Sequence, residues 1–215
     1  TTADLRWVSK PADANAMDWV LGLYLLDREV DLQRTYTWLD SDFVSTFSVQ
    51  RQALYGEFGV PLNGLWKLSI GARLEQHEAD YADNAGVSFT PSDDLFGGRI
   101  RLERSYQSGA LAYASFTQGY KSGGFNTSGT LDADLRLFDP ETLWNFEVGY
   151  KATVFNDAGQ LRVALFHMAR SDVQIATSIV RVRDDGSSEF IEFTGNAASG
   201  ANQGVEVELD LALSE

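Results

Sequence analysis

Few residues of this chain have the types and spacing that catalysis or metal binding requires. The two histidines, His77 and His167, lie far apart, and His167 falls in phase with the apolar residues of its segment. The chain has no cysteine, which excludes a disulfide framework, a cysteine zinc site and a cysteine nucleophile. The glycine-rich run QGYKSGGFN at 118–126 lacks the spacing of a phosphate-binding loop. We therefore predict no catalytic residue, no metal site, no cofactor and no enzymatic activity.

The charged residues favour neither a metal ion nor a nucleic acid as partner. The pairs Asp93-Asp94 and Asp184-Asp185 could hold calcium weakly, but acidic pairs in polar segments are more typical of solvated loops. The chain has 17 basic and 31 acidic residues, a formal net charge of −14. A phosphate backbone binds clusters of lysine and arginine, and this sequence has none, so we predict no nucleic-acid partner.

The elements that must position any functional residue are β-strands, because apolar and polar residues alternate with period two. In the segment 204–215, apolar side chains from Val205 to Leu213 fall on one face, and Glu206, Glu208 and Asp210 fall on the other. The segment 141–155 alternates in the same way. The whole pattern predicts strands at 3–9, 18–29, 46–60, 65–77, 95–105, 110–123, 141–155, 160–177, 188–195 and 204–215.

The predicted connections alternate between tight turns and long loops. Short turns are expected at 61–64, 106–109 and 156–159, which are rich in glycine, asparagine and aspartate. Long polar loops are expected at 31–45, 78–93 and 125–140. The order weakens near the end of the chain, where 184–186 predicts a tight hairpin and 195–203 a longer connection.

Several predicted strands are long enough to cross a bilayer, which takes about 9–11 tilted residues. No apolar run reaches the roughly 18 residues of a membrane helix. We therefore predict an all-β fold, an antiparallel transmembrane β-barrel of which 1–215 forms a part, with about ten strands of a larger barrel. Both ends of the sequence look cut. A soluble sandwich or solenoid strand would show similar alternation and stays open at this point.

The polar faces of the predicted strands carry full charges and are the candidate functional surface. In a barrel they would line a wet or plugged lumen and set its selectivity. The lumen-lining candidates are Lys67, Arg73, Glu75, Arg99, Arg101, Glu103, Glu147, Lys151, Glu206 and Glu208. On the apolar faces, Trp66, Trp144 and Tyr150 fit the aromatic belts of a barrel, although core packing would place aromatic rings there too.

Four stretches resemble the β-barrel part of TonB-dependent outer-membrane receptors. They are SKPADANAMDWVLGLYLLDREVD at 9–31, YASFTQGYKSGGFN at 113–126, DPETLWNFEVGYKATVFNDAGQLRVALFHM at 139–168 and GNAASGANQGVEVELDLAL at 195–213. The resemblance implies a barrel of about 22 strands in the outer membrane of a Gram-negative bacterium.

The same resemblance implies a function and partners. These are a plug domain of the same protein, TonB as the energy source, outer-membrane lipid, and an extracellular nutrient, most often a ferric siderophore. The plug and the last strands are absent from 1–215. The resemblance identifies no ligand-binding residue.

Two other functions remain open from the sequence. A passive porin-like channel would have the same alternation without a plug. A secreted all-β binding module would pack its apolar faces together in a sandwich.

Overall fold

Strands make up most of the structure, a computed structural model that describes residues 1–13, 15–35, 37, 41–127 and 131–212. They are β1 Thr2–Val8, β2 Asp18–Arg34, β3 Phe43–Pro61, β4 Trp66–Asp83, β5 Ser88–Phe89, β6 Ser92–Ser105, β7 Leu111–Lys121, β8 Gly124–Phe125, β9 Leu137–Phe138, β10 Glu141–Val154, β11 Gly159–Val182 and β12 Ser188–Leu211. One 3-10 turn covers Ala133–Leu135. Within the described ranges, no helix is long and apolar enough to span a membrane.

The long strands form one antiparallel sheet in which each strand pairs with its neighbours along the chain. The order is β1-β2-β3-β4-β6-β7-β10-β11-β12, with the short β5 added beside β4. β8 and β9 form a separate two-stranded sheet. Among the described residues the edge strands β1 and β12 do not pair with each other, so the sheet is open. The prediction of an all-β, antiparallel part of a barrel is confirmed.

The apolar side of the sheet is exposed along its whole width, as the alternation predicts. Trp144, Phe146 and Val148 of β10 are 40%, 51% and 40% exposed, and Val205 and Val207 of β12 are more than 60% exposed. No second layer of the described residues covers this side. Contiguous exposed apolar surface on this scale is rare in soluble proteins. A sandwich, which would bury this side, is therefore not what these residues form.

The tight turns lie where the sequence predicts them. At 61–64, the Asn63 side chain accepts hydrogen bonds from the backbone N–H groups of Leu65 and Trp66. The turn at 106–109 closes with Gly109 at φ 81°, a conformation that glycine adopts without strain. At 183–187, Ser187 donates to Asp185 from its hydroxyl and backbone N–H, which holds the pKa of Asp185 below its usual value.

One predicted connection is wrong, because 195–203 is strand. β12 runs without a break from Ser188 to Leu211, and β11 pairs with it from Gly159 to Val182 in one constant register. The two predicted strands 188–195 and 204–215 are therefore one, although the last three residues lie outside the described part. The segment between them is rich in glycine, alanine, serine and asparagine, so it lacks alternation. Backbone hydrogen bonding to β11 does not require alternation.

Two predicted loops are shorter than expected because the strands extend into them. β2 and β3 leave only 35–42 between them, whose middle lies outside the described residues, and β4 and β6 leave 84–91. The connection 122–140 remains long, and its described residues, 122–127 and 131–140, include Phe125, which packs against the sheet. The Phe125 ring packs against Phe47, Tyr81 and Phe89, with ring centroids 5.1–5.7 Å apart. Tyr81 of this aromatic cluster is buried, and so is Leu131 of the connection 122–140.

Candidate functional site

The strand register places all ten predicted lumen-lining residues on one side of the sheet, opposite the exposed apolar side. Cross-strand pairs such as Lys67 with Glu103 and Lys151 with Arg162 fix this arrangement. We call this side the inner face. That it lines an aqueous lumen stays a prediction.

Four of the ten residues meet around a cavity of about 380 Å³ at the short-turn end of β7, β10, β11 and β12. They are Glu147, Lys151, Glu206 and Glu208, and the cavity also takes in Tyr113 and Arg162. Arg162 pairs with Glu208 at 3.0 Å and with Asp210 at 2.7 Å. The cavity therefore holds charges of both signs and presents an excess of carboxylates.

Tyr113 connects two strands of this charged wall. Its hydroxyl donates to Glu147 at 2.7 Å, and its ring lies under the Arg101 guanidinium at 4.5 Å. The ring also lies over Gly149, where any Cβ would overlap it. A residue without a side chain at 149 thus lets an aromatic ring lie flat on the inner face.

A second group of charges, which we call the Glu75 cluster, lies nearer the long-loop end of β3 and β4. The Glu75 side chain is 4% exposed and accepts hydrogen bonds from Arg73 Nε at 2.9 Å and from the Tyr120 hydroxyl at 3.1 Å. Arg51 approaches the other carboxylate oxygen at 3.8 Å. Two guanidinium groups thus compensate one buried carboxylate, as burial of a charge requires.

The remaining predicted residues form ion pairs along the same face. Lys67 Nζ is 2.6 Å from Asp18, Arg101 is 2.8 Å from Glu103, and Arg99 pairs with Glu57. The charges of the wall are therefore largely satisfied within the sheet. Such a wall suits a polar protein surface or water better than it suits the capture of one small ion.

His77 and Asp93 lie beside the Glu75 cluster. His77 is buried on the inner face between Arg51 and Asp93, and its Nδ1 atom has no hydrogen-bond partner. Asp93 accepts a hydrogen bond from the Gly123 backbone N–H at 2.9 Å, whereas Asp94 pairs with Gln76 on the opposite side. The Asp93-Asp94 pair is therefore split between the two sides of the sheet. His167 pairs with Phe146 on the apolar side, as predicted.

The segment 122–140 is fastened to β12 by two asparagine side chains. Asn126 donates to the Thr194 carbonyl and accepts from the Thr194 N–H, both at 2.8 Å. Asn196 accepts from the Asp139 N–H at 2.7 Å and donates to its carbonyl. Each side-chain amide thus makes the pair of backbone hydrogen bonds that a neighbouring strand would make. Beside them opens a polar cavity of about 570 Å³ lined by Asn126, Glu192 and Thr194, among others.

We predict that Gly123→Ala detaches the segment 122–140 from the sheet. A Cβ at this position would lie 2.6 Å from the Phe138 carbonyl oxygen and 3.2 Å from Pro140 N, which are backbone atoms that cannot rotate away. The expected cost is about 1–3 kcal/mol, the usual cost of forcing extra atoms into a packed site. Faster hydrogen exchange of 122–127 and 131–140 in the full-length protein is the measurement.

Gly119→Ala is the matched control for that substitution. A Cβ there would have its nearest neighbour at 3.9 Å, an ordinary contact. Equal exchange rates in the two variants would contradict the close packing of Gly123.

Sequence reasoning missed part of the inner face. Asp18 and Glu57 also lie on the inner face, where they pair with Lys67 and Arg99, but Asp18 precedes a largely apolar run that gives no such signal. Tyr113 gives no signal because tyrosine counts as apolar in an alternation pattern, and Tyr120 falls in phase with the outward Phe116 although its hydroxyl reaches Glu75. No pattern signals that their hydroxyls reach Glu147 and Glu75.

An exposed apolar side, a charged inner face and strand-to-strand connectivity define a segment of a membrane-type β-barrel. The family model of TonB-dependent receptor-like β-barrels matches residues 4–214. The chain therefore belongs to the TonB-dependent receptors, as part of their barrel. Members of this family are outer-membrane transport receptors of Gram-negative bacteria, not enzymes, which confirms both the resemblance and the prediction of no enzymatic activity.

Individual relatives are similar to the chain over nearly all of its length. The pesticin receptor of Yersinia pestis is 22% identical over 193 residues, which cover 85% of this chain and 28% of that protein. The fold matches the ferric yersiniabactin uptake receptor from Yersinia pestis (TM-score 0.76, 20% identity, 99% of this chain, 32% of that one). It also matches the ferric-catecholate import receptor from E. coli K12 (TM-score 0.70, 13% identity, 99% and 35%). The chain thus spans about a third of the proteins that it resembles.

Proposed function

We propose that this chain is part of an outer-membrane receptor that takes up a ferric siderophore with energy supplied through TonB. The observation that carries the proposal is the division of the sheet into an exposed apolar side and an inner face of satisfied ion pairs. The first side suits contact with lipid. The second suits contact with a plug domain of the same protein, because paired charges leave few groups free to attract ions.

The names of the related proteins support the class of ligand. The fold is shared by receptors for ferric yersiniabactin and ferric catecholates. It is also shared by the alcaligin receptor of Bordetella pertussis, with a TM-score of 0.67 and 17% identity over 99% of this chain and 35% of that one. The cavity beside Asn126 lies at the long-loop end, where an external ligand would arrive, and its polar lining suits an oxygen-rich chelate.

Uptake of iron by cells tests this proposal. A strain that lacks its own siderophore receptors is complemented with the full-length gene and given radiolabelled ferric catecholate, hydroxamate and phenolate siderophores. We expect uptake of at least one of them, with loss of that uptake in a tonB deletion. The complemented strain without siderophore is the control.

A passive channel is the second candidate, and the same cells separate it from the first. Entry that continues after collapse of the proton gradient, and in the tonB deletion, would identify a pore without energy coupling. The satisfied inner face argues against it, since an open pore gains selectivity from charges that remain free to meet ions.

A further inference from the structure

One arginine lies on the apolar side of the sheet instead of on the inner face. Arg104, near the end of β6, pairs with Trp66 of β4 and with Ala112 of β7. The outward residues that precede it in β6 are Ile100 and Leu102. The outward row of β6 therefore changes from apolar to cationic as the strand reaches the short turn at 106–109.

Arg104 also differs from four arginines of the inner face in having no carboxylate partner. Arg73, Arg99, Arg101 and Arg162 each pair with a glutamate. For Arg104 the described residues provide no ion pair and no hydrogen bond, and its Nε atom is buried without a partner. An unpaired arginine is unexpected in a chain that has almost twice as many acidic as basic residues.

Two aromatic rings hold the Arg104 guanidinium in place. Its Cζ atom lies 5.3 Å from the centre of the Trp66 ring and 4.9 Å from the centre of the Tyr106 ring. Contact with a ring face satisfies part of the charge of a guanidinium but none of its N–H groups. Because Nε is buried, the donors that remain available to an anionic oxygen from outside the sheet are the terminal N–H groups on Nη1 and Nη2.

The aromatic residues place this site at the depth of lipid headgroups. Trp7, Trp19 and Trp66 all lie within one residue of a strand end on the short-turn edge. Tryptophan and tyrosine in a membrane protein concentrate where hydrocarbon meets the headgroups. The phosphate of a phospholipid lies at that level, and a guanidinium matches the geometry of two phosphate oxygens.

We propose that Arg104, Trp66 and Tyr106 form a binding site for the phosphate group of an anionic phospholipid in the leaflet that faces the short turns. The guanidinium donates to phosphate oxygens, and the lipid chains lie along the apolar row of Leu102 and Ile100. The site depends only on the outward side of the sheet, so it holds whichever compound the receptor transports.

Native mass spectrometry of the delipidated full-length receptor tests the site. The receptor is titrated with phosphatidylglycerol and, for comparison, with phosphatidylcholine. We expect Arg104→Gln to weaken phosphatidylglycerol binding roughly fivefold, which corresponds to about 1 kcal/mol per basic residue at an anionic membrane surface. Arg104→Lys keeps the charge and loses the paired donors, so it should fall between wild type and Arg104→Gln.

Arg183→Gln is the matched control, because it removes the same charge from the exposed turn at the opposite end of the sheet. If Arg104→Gln and Arg183→Gln weaken phosphatidylglycerol binding equally, the effect comes from net charge alone and the proposed site is wrong. Unchanged affinity in Arg104→Gln would overturn it as well. If millimolar inorganic phosphate displaces phosphatidylglycerol, the ligand of this site is free phosphate and not a lipid.

Discussion

Glu75→Gln should lower the free energy of unfolding of the full-length receptor by about 3 kcal/mol, the lower end of the cost of breaking a buried ion pair. The substitution leaves Arg51 and Arg73 beside a neutral amide on the inner face. Their partial exposure, 37% and 32%, limits the loss because water solvates part of each charge. Chemical denaturation in detergent, followed by tryptophan fluorescence, measures the change.

Glu78→Gln provides the control for this cluster. Glu78 lies on the same strand, is exposed, and accepts a hydrogen bond from Gln76. Its substitution should change the free energy of unfolding by less than about 0.5 kcal/mol, as is usual for surface positions. If both variants unfold at the same denaturant concentration, Glu75 does not hold the two arginines together.

Ala114→Arg should cost about 2–4 kcal/mol in a lipid bilayer, the cost of an arginine on the lipid face of a barrel near the midplane. Ala114 pairs with Leu102 and Val148 on the apolar side, between the levels of Trp144 and Tyr150. Urea unfolding of the receptor in vesicles, with tryptophan emission as the signal, gives the free energy directly.

Ser115→Arg, the neighbouring substitution, separates the two sides of the sheet. Ser115 pairs with Glu147 and Arg101 on the inner face, where a new guanidinium finds a carboxylate and polar surroundings. We expect a smaller cost than for Ala114→Arg, because the Glu147 carboxylate directly across the strand pair offsets the added charge. A larger loss for Ser115→Arg than for Ala114→Arg would reverse the assignment of the two sides.

Alternation alone was sufficient to predict that the ten lumen-lining candidates share one side of the sheet. The period of a strand is fixed by its backbone, so Glu206 and Glu208 must share a side wherever the strand lies. The partners across strands could not be predicted in the same way. Contacts such as Arg99 with Glu57 depend on the register, which hydrogen bonding between distant segments sets.

Hydrophobic alternation predicted neither the continuity of β12 nor the attachment of 122–140 to it, and the reason is the same for both. Both depend on backbone groups and on side chains that imitate them. Asn126 binds Thr194 through its amide although 68 residues separate the two. Glycine, asparagine and alanine, which are frequent near Gly195, are depleted in strands, so their propensity favours a loop, and the pairing with β11 overrides that propensity.

The length of β11 and β12 has a consequence for how the proposed receptor would meet its ligand. Each has 24 residues, or roughly 80 Å of extended chain at about 3.3 Å per residue. Crossing the bilayer uses fewer than half of them. In the receptor proposed above, the remainder rises from the cell surface as a ladder of backbone hydrogen bonds between the two strands, which the turn at Gly186 closes. A ligand that met this flank would contact hydrogen-bonded backbone, so its binding there would order few further residues.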